Sequence, residues 1–262
     1  MNRLIRAELL KLRTARVNYG LLLTAAALTA LFATLEAARA GNGSSGVAPI
    51  STASGLTTVT TVTGFAMLLA AVMGVIVASG EFRHNTATFT YLAAPARARV
   101  LTAKAVAVAV GGAIFGLLGT VIATGVGLAF AAGQGNHIAL GTGTLVGHAA
   151  GAVLAASLLG SVGVAVGSLV RSQLAGVIGI FVWGVVVESV IGGLFTSVRP
   201  YLPYTAATAM AGAHLGGAAF GPAHGLNGGE PLPFAGAVLL LAGVSAVLSL
   251  VAARTTVLRD VT

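Results

Sequence analysis

The sequence predicts an all-α integral membrane protein with six transmembrane helices. Of its 262 residues, 8% are charged and 56% are hydrophobic, whereas soluble domains carry about 25% charged residues. So few charges do not cover the surface of a soluble fold of this length. The chain also contains apolar runs of the length that a helix needs, about 20 residues, to cross a hydrocarbon core about 30 Å thick.

The positive charge is spread along the chain and does not form one patch. The formal net charge is +8, but the basic residues lie in short segments at the ends of apolar runs, where they orient transmembrane helices. We therefore expect no nucleic-acid partner, and we expect the lipid bilayer to be the main surroundings of the chain. The absence of cysteine excludes disulfides and thiolate metal sites.

The first element is a basic segment at residues 1–16, which predicts an amphipathic interfacial helix. Its apolar residues Ile5, Leu9 and Leu12 recur at the spacing of one helical face. Glu8 is its one acid, against five basic residues. A helix of this kind lies on the surface of the bilayer. The alternative is a basic, partly ordered tail.

Six spans follow. Their expected positions are about residues 18–38, 58–79, 105–132, 144–170, 174–196 and 234–253. A segment rich in Gly, Ser and Thr predicts a loop between the first two spans. A long outer loop, residues 197–233, joins the last two, and its part 206–219 is apolar enough to re-enter the membrane. Glycine pairs such as Gly112/Gly116 and Gly163/Gly167 predict close contacts between helices.

The distribution of basic residues predicts the orientation of the spans. Placing the N-terminus in the cytoplasm puts twelve Lys and Arg residues on the inner side and leaves Arg39 and Arg199 outside. Basic residues accumulate on the cytoplasmic side of membrane proteins. We therefore expect a multi-pass protein of the inner (cytoplasmic) membrane, with both termini and residues 80–104 in the cytoplasm.

The residues that nucleotide or metal chemistry requires are missing from the sequence. A phosphate-binding P-loop places lysine directly after glycine, but Lys11 follows leucine and Lys104 follows alanine. The histidines lack metal-ligand spacing, and the one aspartate is Asp260. We therefore expect a non-catalytic chain that binds no metal and no cofactor.

Residues 80–104 form a polar stretch between the second and third spans. Within them a short helix-like piece, residues 86–92, follows Asn85 and precedes Pro95. Asparagine accepts a backbone hydrogen bond at a helix start, and the residue before proline is pushed out of the α region. A compact charged hairpin between two apolar runs predicts a docking contact for a partner.

The individual side chains of this hairpin each allow two interpretations. Glu81 is either a solvated interface charge or a contact that senses the position of a cytoplasmic partner. Arg83 is equally explained by anchoring at the inner membrane surface. The side chains of Phe89, Tyr91 and Leu92 either rest on the membrane interface or insert into a groove of a partner.

Two further polar residues lie within the expected fourth and fifth spans. A carboxylate inside a membrane needs a partner or a proton, and Glu188 follows the apolar run of the fifth span. His148 lies at comparable depth in the fourth span. The functional interpretation is a gating or substrate contact near the outer half of the membrane. The alternative is a hydrogen-bonded structural pair.

The chain resembles the membrane-spanning permease subunit of an ATP-binding-cassette transporter of export type 2. Five segments carry the resemblance, and the cytoplasmic loop is the most specific of them. They are the N-terminal helix MNRLIRAELLKLRTAR, the first cytoplasmic loop GEFRHNTATFTYLAAPARARVLTAK, the fifth span FVWGVVVES, the outer segment RPYLPYTAATAM and the basic tail AARTTVLRDVT.

The resemblance implies a coupling helix at about residues 86–92 that fits a groove on a separate ATPase subunit. It also implies a complex of two permease subunits, as a homodimer or a heterodimer, with two ATPase subunits, and with ATP and Mg²⁺ held by the ATPase. The ATPase-coupling residues that it implies are Glu81, Arg83, Thr86, Phe89, Tyr91 and Leu92. Export follows from the resemblance, and the apolar spans favour a hydrophobic or amphipathic cargo, such as a drug, an antibiotic or a lipid.

Two other functions are compatible with a six-span chain. One is a self-sufficient secondary transporter or channel, against which the scarcity of buried charge argues. The other is an integral-membrane scaffold or enzyme, which would need several polar groups at one depth. A neighbouring reading frame that encodes a P-loop ATPase would favour the permease.

Overall fold

The computed structural model describes residues 1–42, 48–83, 97–135, 140–213 and 230–257. Throughout these ranges the regular structure is helical. The α-helices are α1 (Asn2–Thr14), α2 (Arg16–Asn42), α3 (Ala53–Thr60), α4 (Gly64–Arg83), α5 (Arg97–Gly133), α6 (Thr142–Val170), α7 (Gln173–Phe181), α8 (Glu188–Leu194), α9 (Pro203–Met210) and α10 (Phe234–Ala252). Two π-helical segments, Val182–Val187 and Ala253–Val257, and a 3₁₀ turn, Arg199–Tyr201, complete the set.

Six helical stretches among the described residues are long and apolar enough to cross a membrane, which confirms the predicted number of spans. In chain order, spans 1 to 6 are Arg16–Ala40, Ala53–Arg83, Arg99–Gly133, Thr142–Val170, Gln173–Leu194 and Phe234–Thr255. Four of them extend past the predicted boundaries at a charged end. A run of apolar residues stops at the first charge, but helical hydrogen bonding continues through charged residues at the membrane surface.

Span 2 begins earlier than the sequence predicted, inside the segment expected to be a loop. Thr52 caps α3, because its hydroxyl accepts a hydrogen bond from the Gly55 amide at 3.1 Å. The span then breaks between α3 and α4, where Thr61 donates its hydroxyl hydrogen to the Thr57 carbonyl at 2.8 Å. Such bonds from threonine to the helix backbone satisfy polar groups at a buried break.

The centre of the bundle is span 2, and α6 is its main neighbour. In the most apolar window of each span, 83% of span 2 is buried but only 11% of span 6. The α6 helix approaches α4 closely because Gly163 lies against the Ala71 carbonyl and leaves no room for a side chain. Gly112 likewise allows α5 and α6 to approach closely, because a Cβ added there would lie 2.5 Å from the Ala156 oxygen. The predicted glycine contacts therefore join helices of the same chain.

The bundle has two ends with different short helices. At one end, which we name the α1 end, α1 packs against α5 and a tight turn joins spans 4 and 5. At the other, the α9 end, α9 packs against α6 and α10. Its residues Ala206, Ala207 and Met210 are buried in the core. The predicted re-entrant part 206–219 thus begins in α9, and residues 214–219 lie outside the described ranges.

Candidate functional site

Four charged side chains meet at the α1 end. Lys104 donates to Glu8 Oε2 at 3.0 Å and to Glu81 Oε1 at 2.9 Å. Lys11 donates to Glu8 Oε1 at 2.6 Å and to Glu81 Oε1 at 3.0 Å. We name this group the charge cluster. It uses both lysines of the chain, and it is neutral overall because two carboxylates face two ammonium groups.

Three helices position the charge cluster. Glu8 and Lys11 are one turn apart on α1, Glu81 lies in the last turn of α4, and Lys104 lies near the start of α5. Leu12 of α1 packs into the main core beside these charges. The cluster therefore ties α1 to the two helix ends that flank residues 84–96.

The electrostatics of the cluster favour the ionised forms of Glu8 and Lys11. Burial raises the pKa of the Glu8 carboxyl, but the charges and hydrogen bonds of Lys104 and Lys11 outweigh burial, so the net pKa is lowered. Burial likewise lowers the pKa of Lys11, and its bonds to Glu8 and Glu81 outweigh that effect and raise it. Opposite charges at hydrogen-bond distance make the burial of the Glu8 and Lys104 side chains tolerable.

Glu81 is ion-paired within the chain. Its side chain is 12% exposed and receives hydrogen bonds from both lysines, so it is not an ordinary solvated interface charge. Sequence reasoning missed Glu8, because it followed the apolar face Ile5, Leu9 and Leu12. In the structure Glu8 is the buried residue of α1. A signal was available, because Lys11 and Lys104 were both predicted on the cytoplasmic side, where Glu8 and Glu81 are also expected.

The end of α4 makes two further contacts with the turn between spans 4 and 5. Arg83 donates to the Gln173 side chain at 3.0 Å, and the Arg171 guanidinium lies 5.4 Å from the centre of the Phe82 ring. Arg171 ends α6 in the left-handed conformation, with φ 55°. The residues just before position 84 are thus joined to α1, to α5 and to this turn.

The remaining predicted coupling residues lie outside the described ranges. They are Thr86, Phe89, Tyr91 and Leu92. Their helical conformation and their role in docking stay predictions. The structure brings together two residues on either side of them, Glu81 and Lys104. Arg83 contacts Gln173 instead.

The second candidate site is the carboxylate of Glu188 near the α9 end. It accepts hydrogen bonds from the backbone amides of Tyr204 and Thr205, both at 2.8 Å, and from the Thr205 hydroxyl at 3.0 Å. The Trp183 Nε1 donates to it at 3.0 Å. Pro203 is the first residue of α9 and has no amide hydrogen, so Glu188 caps the amides that follow it.

His148 is not one of the four hydrogen-bond donors of Glu188. Its ring lies against Gly212, which has φ 82° and where a side chain would collide with the imidazole. A hydrogen-bonded pair of His148 and Glu188, the alternative to a gating or substrate contact, is not among these four bonds, and the role of the two residues stays a prediction. The partners of Glu188 come from α9 and from its own span, and Pro203 followed by polar residues was the available signal for such a cap.

Neither site has the composition of a metal centre. Among the described residues, no three His, Asp or Glu side chains lie together as a metal ion would require. The charge cluster and the Glu188 cap are instead contacts that fix helices to one another. Comparison of the sequence with protein-family models and with curated proteins found no match.

Proposed function

We propose that the chain is the permease subunit of an ATP-binding-cassette transporter of export type 2. The observation that carries the proposal is the charge cluster, because it joins Glu81 and Lys104, which lie near the two ends of the segment that resembles the coupling loop, residues 80–104. Six spans and a sequence without a P-loop also support a membrane subunit driven by a separate ATPase. The chain itself is non-catalytic, and ATP and Mg²⁺ bind to the ATPase.

The charge cluster connects the two ends of the coupling loop to each other and to α1. A partner that displaces the loop moves the end of α4 and the start of α5 together, because Lys104 is bonded to Glu81 at 2.9 Å. The same lysine carries the displacement to α1 through Glu8. Helices in a membrane move as rigid bodies, because every backbone hydrogen bond must stay satisfied. ATP binding by the partner then favours one of two global arrangements, as allosteric coupling requires.

The orientation that follows places the α1 end, both termini and the coupling loop in the cytoplasm of a cell with this protein in its inner membrane. Two permease copies enclose the path of a hydrophobic or amphipathic cargo. On the opposite side, Glu188 fixes α9 to span 5, so that α9 follows this span when the path opens outward. His148 lies on α6 near the same end and is a candidate for lining the path.

Co-purification with a P-loop ATPase encoded in a neighbouring reading frame tests the coupling role. Replacing Phe89 and Tyr91 by alanine removes the aromatic groups of the predicted coupling helix, and we expect loss of ATPase binding and of transport. The matched control replaces two exposed aromatic residues at the α9 end, Tyr201 and Phe234, and we expect it to retain the ATPase. Full binding and transport by the Phe89→Ala, Tyr91→Ala variant would contradict the proposal.

The orientation is testable because the chain contains no cysteine. A membrane-impermeant maleimide should label an Ala94→Cys variant only after the cells are permeabilised. The control variant Ser197→Cys, at an exposed position near the α9 end, should be labelled in intact cells. Labelling of Ala94→Cys in intact cells would place the loop outside and overturn both the orientation and the coupling role.

A further inference from the structure

One face of α1 carries a row of exposed basic residues. Arg3, Arg6, Leu10 and Arg13 follow one another at spacings of three, four and three residues, so that they lie along one side of the helix. All four are exposed, and the Leu10 side chain is exposed to 61%. We name this row the arginine stripe.

The opposite face of α1 is already occupied by the rest of the chain. Ile5, Glu8 and Leu12 recur at spacings of three and four residues. Glu8 is buried in the charge cluster, and Leu12 packs into the core. Leu12, one of the apolar residues that the sequence assigned to the membrane, thus packs against the protein. The arginine stripe lies on the opposite face of α1, which is exposed.

The positive charges of the stripe are not neutralised by the described part of the chain. No ion pair or hydrogen bond joins the Arg3, Arg6 or Arg13 guanidinium to any described residue, whereas both lysines of the charge cluster bind carboxylates. An uncompensated row of three guanidinium groups is complementary to a row of anions. Arginine binds phosphate groups through two parallel hydrogen bonds.

The position of α1 at the start of span 1 indicates which anions lie next to the arginine stripe. Only Ala15 separates the last residue of α1 from the first residue of span 1, so that the stripe lies where the chain enters the bilayer. Two side-chain hydrogen bonds fix the junction between α1 and span 1: the Asn18 side-chain amide donates to the Leu12 carbonyl at 2.8 Å, and the Tyr19 hydroxyl donates to the Arg13 carbonyl at 2.7 Å. A helix held at this depth faces phospholipid headgroups.

We propose that the arginine stripe binds the headgroups of anionic phospholipids, with Leu10 reaching the boundary of the acyl chains. Each basic residue near an anionic membrane surface strengthens attachment roughly fivefold. The charge cluster fixes the stripe relative to α4 and α5. Lipid binding goes beyond the proposed transport role and does not depend on it, since it needs neither ATP nor a partner ATPase.

The test uses the full chain in vesicles, with a single cysteine in place of Ala7, an exposed residue beside the stripe. A fluorophore on this cysteine is quenched by lipids that carry a spin label on the headgroup. We compare vesicles of phosphatidylcholine alone with vesicles containing one third phosphatidylglycerol. We expect quenching to increase with phosphatidylglycerol and to decrease at high salt, because salt screens exposed charges.

A charge-matched pair of variants makes the test specific. Replacing Arg6 and Arg13 by glutamine should raise the phosphatidylglycerol fraction for half-maximal quenching roughly fivefold or more. The control replaces Arg39 and Arg199 by glutamine, which removes the same charge at the α9 end, and should leave this fraction unchanged.

Two outcomes would overturn the proposal. One is quenching that does not depend on phosphatidylglycerol. The other is an equal response of the stripe variant and the control. Should quenching be insensitive to lipid charge while an added acidic protein shields the fluorophore, the stripe would be a protein-docking surface and the lipid assignment would be wrong.

Discussion

Lys104 has an unusual position for a lysine, because its side chain is 5% exposed and bonded to two carboxylates. Lys11 contacts the same two acids from a side chain that is 51% exposed. Exposed ion pairs contribute about 0–1 kcal/mol, whereas removing one partner of a buried pair costs about 3–5 kcal/mol. The two lysines of one cluster therefore differ in their contribution to stability.

This difference predicts a ranking of substitutions. Lys104→Met should lower the free energy of unfolding by about 3–5 kcal/mol, because Glu8 and Glu81 then share one half-exposed lysine. Lys11→Met should cost about 1 kcal/mol or less. The single tryptophan, Trp183, reports unfolding by its fluorescence in detergent, and Arg254→Gln is an exposed control at the same end. Equal losses for the two lysine variants would contradict the ranking.

The double variant Glu8→Leu, Lys104→Met tests whether Glu8 and Lys104 stabilise the protein through their direct interaction. It removes one negative and one positive charge and leaves Glu81 with Lys11. We expect it to recover most of the stability that Lys104→Met loses, since an apolar replacement of a buried pair is often neutral. Additive losses in this double-mutant cycle would show that Glu8 and Lys104 do not interact.

The pH dependence of stability follows from Glu8. Its folded-state pKa lies below the ordinary value of 4.5, so the unfolded chain binds this proton more readily. The stabilisation is therefore complete above pH 4.5 and is lost as the pH falls through the folded-state pKa. The difference in unfolding free energy between wild type and Glu8→Gln should be constant near neutral pH and should shrink in acid. A difference that grows in acid would contradict the lowered pKa.

At the scale of elements, α9 depends on a residue outside itself. It has eight residues, and its first amide is missing because Pro203 occupies the first position. Short helices are marginal without tertiary contacts. Glu188 supplies the cap from span 5, and it accepts three hydrogen bonds from α9 and a fourth from Trp183 of its own span. The placement of α9 on the bundle is thus linked to the position of Glu188.

Glu188→Gln tests this link. The substitution keeps the size of the side chain but replaces one oxygen by an amide group that donates, so that one set of bonds to α9 is lost. Because a hydrogen bond to a charged group contributes about 1.5–3 kcal/mol, amide hydrogen exchange in α9 should become roughly tenfold faster or more. Thr208→Val, which removes only a bond within α9, is the matched control. Unchanged exchange in Glu188→Gln would mean that the cap does not hold α9.

At the scale of the whole molecule, the bundle is held together by the close crossing of spans 2 and 4. The side chains at this crossing are small, and Gly163 touches the Ala71 backbone directly. Interiors packed in this way tolerate little added volume. Span 5, in contrast, has glycines such as Gly179 with open space where a side chain would begin.

Two glycine substitutions should therefore have opposite effects. Gly163→Ala should destabilise the bundle by about 1–3 kcal/mol or more, because the new methyl group collides with backbone that cannot move aside. Gly179→Ala should stabilise it by up to about 1 kcal/mol through helix propensity. Both are measured by Trp183 fluorescence during unfolding. A neutral Gly163→Ala would mean that spans 2 and 4 are less tightly packed than described.

The sequence was sufficient for the six spans because hydrophobicity and length are local properties. It was insufficient for the contacts between them. Glu8 and Lys104 are 96 positions apart, and no local pattern connects an acid on an amphipathic helix with a lysine at the start of a later span. Likewise Glu188 was recognised as a residue that needs partners, but those partners, Tyr204 and Thr205, depend on how the outer segment folds back.

The 96-residue separation of Glu8 and Lys104 has a consequence for the order of assembly. A ribosome makes Glu8 long before Lys104, so Glu8 can pair only with Lys11 while spans 1 and 2 are inserted. During that interval α1 has only part of its docking site, because Glu81 is present but α5 has not yet been made. It reaches its final place only after span 3 emerges, so α1 is made before span 3 but is positioned after it.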